Sequence, residues 1–150
     1  MESIFQSLYR PFIWLMVILF VIIYPMLISI YVFLPLFIGI MGYFFLRGID
    51  EGKYQYLFVS SFYFINLEIN LSLPLFLMII TFLLVYILFY KNLTYFRRCQ
   101  ICKPILSVIL LDIFYLGMLL GYDFVFQLSS IVLDNLLLYS LVVDILVVML

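Results

Sequence analysis

The fold is decided by the uncharged stretch 12–46, FIWLMVILFVIIYPMLISIYVFLPLFIGIMGYFFL, which lies between Arg10 and Arg47. With Pro11 it spans 36 residues, roughly 54 Å as a single helix. A helix needs only about 20 residues to cross a hydrocarbon core of about 30 Å. The stretch is therefore too long for one crossing and predicts a helical hairpin. Pro25, Ser29 and Pro35, which loosen or end helices, lie near its middle.

Two further hydrophobic blocks follow, each long enough for another hairpin. Residues 54–90 contain one charge, Glu68, and residues 104–150 contain only aspartates as charges. Helix-ending residues again lie near the middle of each block, at Asn66–Pro74 and Gly121–Asp123. We therefore predict an all-α, polytopic integral membrane bundle, with residues 1–150 forming a single transmembrane domain. Its six helices are expected at about 11–24, 33–46, 54–67, 74–90, 104–121 and 125–148. A first segment that dips into the membrane without crossing stays open as an alternative.

The composition agrees with a lipid environment and excludes several classes of site. Hydrophobic residues make up 69% of the 150 residues and charged residues 10%, against about 45–50% and about 25% in soluble domains. The absence of histidine excludes His-type zinc sites, haem held by imidazole, and catalytic Ser-His-Asp or Cys-His groups. One Cys99-x-x-Cys102 pair cannot complete a tetrahedral zinc site, so we expect reduced thiols there. We expect no enzyme activity, no cofactor, no metal and, from the net charge of −1, no nucleic acid.

The basic residues predict the orientation. Three hairpins place all of them on one side, which should be the cytoplasmic side because basic residues collect there. These residues are Arg10, Arg47, Lys53, Lys91, Arg97, Arg98 and Lys103. Three single tilted crossings would instead leave Arg47 and Lys53 outside. We predict a multi-pass protein with cytoplasmic N- and C-termini.

Three acids lie inside apolar helices, where a charge costs about 2.5–3.5 kcal/mol at the membrane centre. Asp112, Asp134 and Asp144 are therefore expected to face the bundle interior or a partner. Ser130 and Ser140 each precede an aspartate by four residues, so each hydroxyl is predicted to donate to that carboxylate. We expect Asp112 and Asp134 to be substantially protonated. A proton or cation path is the alternative interpretation.

A second face of the fifth helix and the basic loop are candidates for partner contact. Gly117 and Gly121 form a small-residue seam that lets another helix, either of the same chain or of a partner, approach closely. At 100° per residue they point roughly 140° and 180° away from Asp112. Arg97 and Arg98 are expected to contact anionic headgroups or a cytoplasmic partner.

The densest polar group on the predicted far side is formed by Asn66, Glu68 and Asn70. One interpretation is a solvated hairpin turn. The other is an extracytoplasmic mouth that takes a ligand or docks a partner segment.

The layout resembles the rod-shape-determining MreD family of the bacterial inner membrane. The family's proline-containing opening of the second helix is matched by Phe33-Leu-Pro-Leu-Phe-Ile-Gly-Ile-Met-Gly-Tyr43, and its basic turn by Arg47–Lys53. The segment Leu106–Phe114 is similar to the family's apolar run that ends in an intramembrane Asp. In the third helix, Asn66 stands in place of the family's acid. The resemblance extends over nearly the full chain.

The resemblance implies a six-helix fold similar to the substrate-binding subunits of energy-coupling-factor transporters. It also implies a non-catalytic scaffold of the cell-wall elongation machinery, with an MreC-like single-span protein, RodA and a class B penicillin-binding protein as partners. The candidate contact residues are Asp112, Gly117, Gly121, Asp134, Asp144, Arg97 and Arg98. The rival hypothesis is a small-solute or ion transporter subunit, in which broken helices and aspartates hold a ligand.

Overall fold

In the computed structural model, the backbone is described for residues 2–31, 33–90, 92, 102–127 and 131–150. Side chains are described for the same residues except 2–10, 90 and 131–134. This part of the chain is helical, with six helices and no strand, so the predicted all-α class is confirmed. The helices are α1 Glu2–Ile30, α2 Ile38–Asp50, α3 Tyr54–Asn70, α4 Leu77–Val85, α5 Cys102–Phe126 and α6 Ile131–Met149. A π-helical turn, Tyr86–Tyr90, continues α4.

Two of these helices are long and apolar enough to cross a membrane. They are the Pro11–Ile30 part of α1 and the whole of α5, Cys102–Phe126. Shorter apolar helices occupy Leu77–Phe89 and Asn135–Met149. By length and composition, this pattern weakly indicates a membrane protein.

Several predicted helix ends differ from the structure. The first helix does not end at about residue 24 but continues through Pro25 to Ile30. The second begins at Ile38, five residues later than predicted, and the fourth at Leu77, three residues later. The fifth continues past Gly121 to Phe126, because its turn comes at Gln127, which has a φ of 52°.

Pro25 fails to end α1 because another helix supplies the hydrogen bond that proline cannot donate. In a regular helix the N–H of residue 25 would bond to the Val21 carbonyl, and proline has no N–H. The Asn66 side-chain amide, from α3, donates to that carbonyl at 3.1 Å and to the Ile22 carbonyl at 3.1 Å. The Val21 carbonyl, one turn before the proline, therefore keeps a hydrogen-bond donor.

The starts of α2 and α4 are built on the same four residues. Leu34-Pro-Leu-Phe37, here called the first turn, precedes α2, and Leu73-Pro-Leu-Phe76, the second turn, precedes α4. Each turn ends in a phenylalanine with left-handed backbone, at φ 49° for Phe37 and 65° for Phe76. The two turns therefore share sequence, backbone conformation and position before a helix.

The first turn lies at the centre of the helical packing. α2 contacts α3, α5 and α6, and Leu36 in the turn is fully buried. With 13 residues, α2 is roughly 20 Å long, less than half the length of α1. Its N-terminus consequently meets side chains of the surrounding helices.

Candidate functional site

The N–H groups at the first turn are bound by two side chains of α6. The Leu36 N–H donates to Ser140 Oγ at 3.1 Å, and the Gly39 N–H donates to Asp144 Oδ2 at 2.8 Å. A buried N–H without an acceptor costs about 1–3 kcal/mol, so each bond removes a penalty that the break in the helix creates. Residues 140 and 144 lie one turn apart on the same face of α6 and bind N–H groups that are three residues apart, those of Leu36 and Gly39.

The carbonyls of the same turn are bound by two tyrosines. The Tyr24 hydroxyl, from α1, donates to the Pro35 carbonyl at 2.7 Å. The Tyr63 hydroxyl, from α3, donates to the Leu36 carbonyl at 2.7 Å. Three helices thus supply the polar partners that let the non-helical backbone lie inside the protein.

A second acid, Asp112 of α5, lies against the same backbone. A Cβ atom on Gly39 would be 2.8 Å from Asp112 Oδ2, 3.0 Å from Asp144 Oδ2 and 2.5 Å from Val108 Cγ1. One oxygen of each carboxylate therefore lies within 3.0 Å of the same point beside Gly39. Only glycine leaves space there for Asp112, because any side chain would meet atoms closer than van der Waals contact.

This pair of acids is incompletely hydrogen-bonded. Asp112 is 6% exposed and Asp144 fully buried. The atoms Asp112 Oδ2 and Asp144 Oδ1 are buried and accept no hydrogen bond. The ion pairs in the described part of the chain involve Arg47, Glu51 and Lys53, none of which contacts either aspartate.

At the second turn the acid is Glu68 of α3, and both of its carboxylate oxygens accept hydrogen bonds from backbone N–H groups. Its Oε2 accepts the Phe76 N–H at 2.7 Å and its Oε1 accepts the Met78 N–H at 2.8 Å. Met78 occupies the position equivalent to Gly39, two residues after the left-handed phenylalanine. The Tyr115 hydroxyl is buried without a hydrogen-bond partner.

The predicted polar group at the far end of α3 acts within the chain. Glu68 is fully buried, and Asn66 binds α1 as described above. Asn70 donates to the Asn66 carbonyl at 2.8 Å and to Asn66 Oδ1 at 2.9 Å. Asn66 thus joins α3 to α1, and Glu68 joins α3 to the second turn.

Two predictions about side chains are wrong. Ser140 accepts a hydrogen bond from the Leu36 backbone, and no hydrogen bond joins it to Asp144, because buried N–H groups at the first turn that have no intrahelical acceptor bind both side chains. Cys102 is disulfide-bonded, whereas reduced thiols were expected, and Cys99 lies outside the described residues.

Four further residues were predicted to contact a partner or to bind an aspartate. Arg97, Arg98 and Ser130 lie outside the described residues, as does the side chain of Asp134.

Asp112 and the glycines Gly117 and Gly121 lie on different faces of α5. Asp112 is buried, whereas Gly117 and Gly121 are exposed, and a Cβ atom on either glycine would meet none of the described residues within 4 Å. An exposed groove of about 330 Å3 lies between α1, α2 and α3, lined mainly by apolar side chains that include Val17, Phe20, Met41 and Phe44. Neither surface contains a group of chemically reactive residues.

Sequence reasoning missed the roles of Tyr24 and Tyr63, which resemble any aromatic residue of an apolar helix. A usable signal was the repeated Leu-Pro-Leu-Phe at 34–37 and 73–76, which marks two equivalent helix starts. Each such start needs acceptors for its N–H groups, and Glu68 and Asp144 are acids within the hydrophobic blocks.

Comparisons with protein-family models, with curated proteins and with solved structures found no match to this chain.

Proposed function

We propose that this chain is a polytopic protein of the bacterial cytoplasmic membrane and a non-catalytic scaffold of the MreD kind. Its partners are an MreC-like single-span protein, RodA and a class B penicillin-binding protein, and they bind to outward helix faces and to the basic loop at Arg97 and Arg98. Both termini are cytoplasmic in this proposal. The proposal rests on the resemblance in sequence and on how the described residues distribute polar and apolar groups.

The distribution of polar groups supports a lipid environment. Asp112, Asp144, Glu68 and Tyr63 are turned inward, where they bind or adjoin the helix starts. Large apolar side chains instead lie on the outside, for example Phe58, which is 71% exposed. An outer surface of this kind is stable in hydrocarbon and unfavourable in water.

The single observation that carries the scaffold proposal is the open glycine face of α5. Gly117 and Gly121 lie one turn apart on a helix long enough to span a membrane, and no atom of the described residues lies within 4 Å of a Cβ placed on either. Small residues spaced in this way let the backbone of a second helix approach closely in lipid. A single-span partner offers one helix of the required kind.

Co-purification tests this proposal. The full chain is expressed with the MreC-like protein of the same genome, as wild type, as Gly117→Leu and as the control Phe58→Leu, which changes another exposed side chain. Gly117→Leu is expected to lower the recovered partner at least several-fold, while the control retains it. Undiminished recovery with Gly117→Leu contradicts the proposal, as does unchanged cell width when the gene is depleted.

A small-solute or ion transporter subunit remains the second candidate, favoured by one observation. α2 begins at a break inside the helical packing, beside two buried acids, and broken helices with charged groups at their ends form the binding sites of many transporters. Uptake of solute or ion by proteoliposomes that contain this chain alone would support the transporter. Scaffold function predicts no such uptake.

A further inference from the structure

The two turns provide an internal comparison of what a helix start requires. At the second turn, one carboxylate with two hydrogen bonds, Glu68 to Phe76 and Met78, is sufficient. At the first turn, Asp144 binds Gly39 through one oxygen, yet a second acid, Asp112, is buried beside it.

The first turn therefore does not need Asp112 as an acceptor for its N–H groups. Its Oδ2 accepts no hydrogen bond, although burying an unpaired carboxylate is among the most costly arrangements in a protein. The backbone leaves room for it only because residue 39 is glycine, whereas Met78 fills the equivalent place at the second turn.

The charged and titratable groups around the pair decide which ligand fits. α1 contributes Tyr24 and α3 contributes Tyr63, both neutral hydroxyls that donate to backbone carbonyls. Among the described side chains, α5 contributes Asp112, α6 contributes Asp144 and, beside Tyr24, the hydroxyl of Tyr139, and α2 contributes backbone N–H groups. No described Lys or Arg forms an ion pair with Asp112 or Asp144.

Two carboxylates this close in a buried site cannot both stay ionised without a cation, because their repulsion adds to the cost of burial. The N-terminus of α2 carries a partial positive charge and directs the Gly39 N–H at Asp144, which stabilises an anion there and disfavours a metal ion. A proton on Asp112 removes the repulsion without needing further ligands.

We propose that Asp112 and Asp144 form a proton-binding site beneath the N-terminus of α2. Asp112 carries the proton, and Asp144 is the anion that accepts the Gly39 N–H. This assignment does not depend on the identity of any partner protein.

Infrared spectroscopy of the full chain in lipid bilayers tests the site. A protonated carboxyl group has a C=O stretch that ionised carboxylates lack and that shifts in D2O. The wild type is expected to show such a band at neutral pH and to lose it reversibly at alkaline pH. Asp112→Asn is expected to lose the part of the band that Asp112 contributes, and the control Asp123→Asn, on the same helix, to retain the full band.

Asp144→Asn distinguishes a coupled pair from an isolated acid and keeps an oxygen acceptor for the Gly39 N–H. Without the neighbouring anion, the Asp112 band is expected to disappear at a lower pH than in the wild type. This variant and the wild-type titration remain informative if Asp112→Asn does not fold.

Three results would overturn the assignment. The first is a folded wild type with no protonated carboxyl band at neutral pH. The second is a band that disappears when sodium replaces choline at fixed pH, which would make the pair a sodium site. The third is an Asp144→Asn variant whose Asp112 band titrates as in the wild type, since the two acids would then be independent.

Discussion

The Asn66 amide donates a hydrogen bond to the Val21 carbonyl, 3.1 Å away. That carbonyl is the one that Pro25 leaves without an intrahelical donor, because proline has no N–H. The proline in α1 and the asparagine in α3 thus compensate each other across the helix pair.

Asn66→Leu should lower the free energy of unfolding by about 1–3 kcal/mol, because the Val21 carbonyl loses its donor in a partly buried position. In a Pro25→Ala background, residue 25 can donate to Val21 itself, so the same Asn66→Leu change should cost less. Unfolding with a denaturing detergent measures all four proteins of this cycle. Equal costs of Asn66→Leu in the two backgrounds would show that the residues act independently.

Glu68→Leu removes the acceptor of two N–H groups at the start of α4. Each N–H left unpaired costs about 1–3 kcal/mol, so this substitution should destabilise the chain more than Asn66→Leu. The same unfolding measurement applies, with loss of helicity followed by circular dichroism. A Glu68→Leu protein that unfolds together with the wild type would mean that the second turn does not need its carboxylate.

Gly39→Ala should destabilise the protein by about 1–3 kcal/mol, because its methyl group would overlap Val108 and the Asp112 carboxylate. Gly117→Ala is the matched control on an open helix face. It should raise stability by about 0.5–1 kcal/mol, since alanine favours a helix interior over glycine. If both substitutions have the same effect on thermal stability, the close approach at Gly39 is not a constraint.

At the turn between α2 and α3, Lys53 and Arg47 lower the pKa of Glu51 through hydrogen bonds and charge. A lowered pKa means that the contribution of Glu51 to stability is present above its ordinary pKa of 4.5 and is lost as pH falls through the folded value. Wild type and Glu51→Gln should therefore differ slightly at neutral pH and converge in acid. Added salt should remove the small difference, because the three side chains are in solvent. A difference that grows in acid would reverse the assigned sign.

The proposed orientation predicts which positions are reached from outside an intact cell. In a background with both native cysteines changed to serine, Tyr54→Cys should react with a membrane-impermeant maleimide only after the cells are opened. Phe126→Cys, at the end of α5 that the proposal places outside the cytoplasm, should react in intact cells. Both parent side chains are exposed, so accessibility within the protein does not limit labelling. The reverse labelling pattern would show that the orientation in the membrane is opposite to the proposed one.

Charges divide the chain into three apolar blocks, and the length of each block together with the helix-ending residues near its middle was sufficient to predict six helices. The ends of those helices were not predictable in the same way. Pro25 alone predicts a helix end. The helix continues because Asn66, more than forty residues later, donates to the Val21 carbonyl that the proline leaves without a donor. Likewise, the inward position of Asp112 followed from its cost in lipid, but its place beside Gly39 and Asp144 depends on contacts between helices far apart in sequence.

The two helix starts differ in when their partners are made by the ribosome. Glu68 precedes the second turn by a few residues, so that hairpin carries its own acceptor as soon as it is synthesised. The first turn depends on Ser140 and Asp144, which are 104 and 105 residues downstream of the groups they bind. The Leu36 and Gly39 N–H groups must therefore wait for the last helix before they gain acceptors, and truncation before Ser140 would leave both of them unpaired.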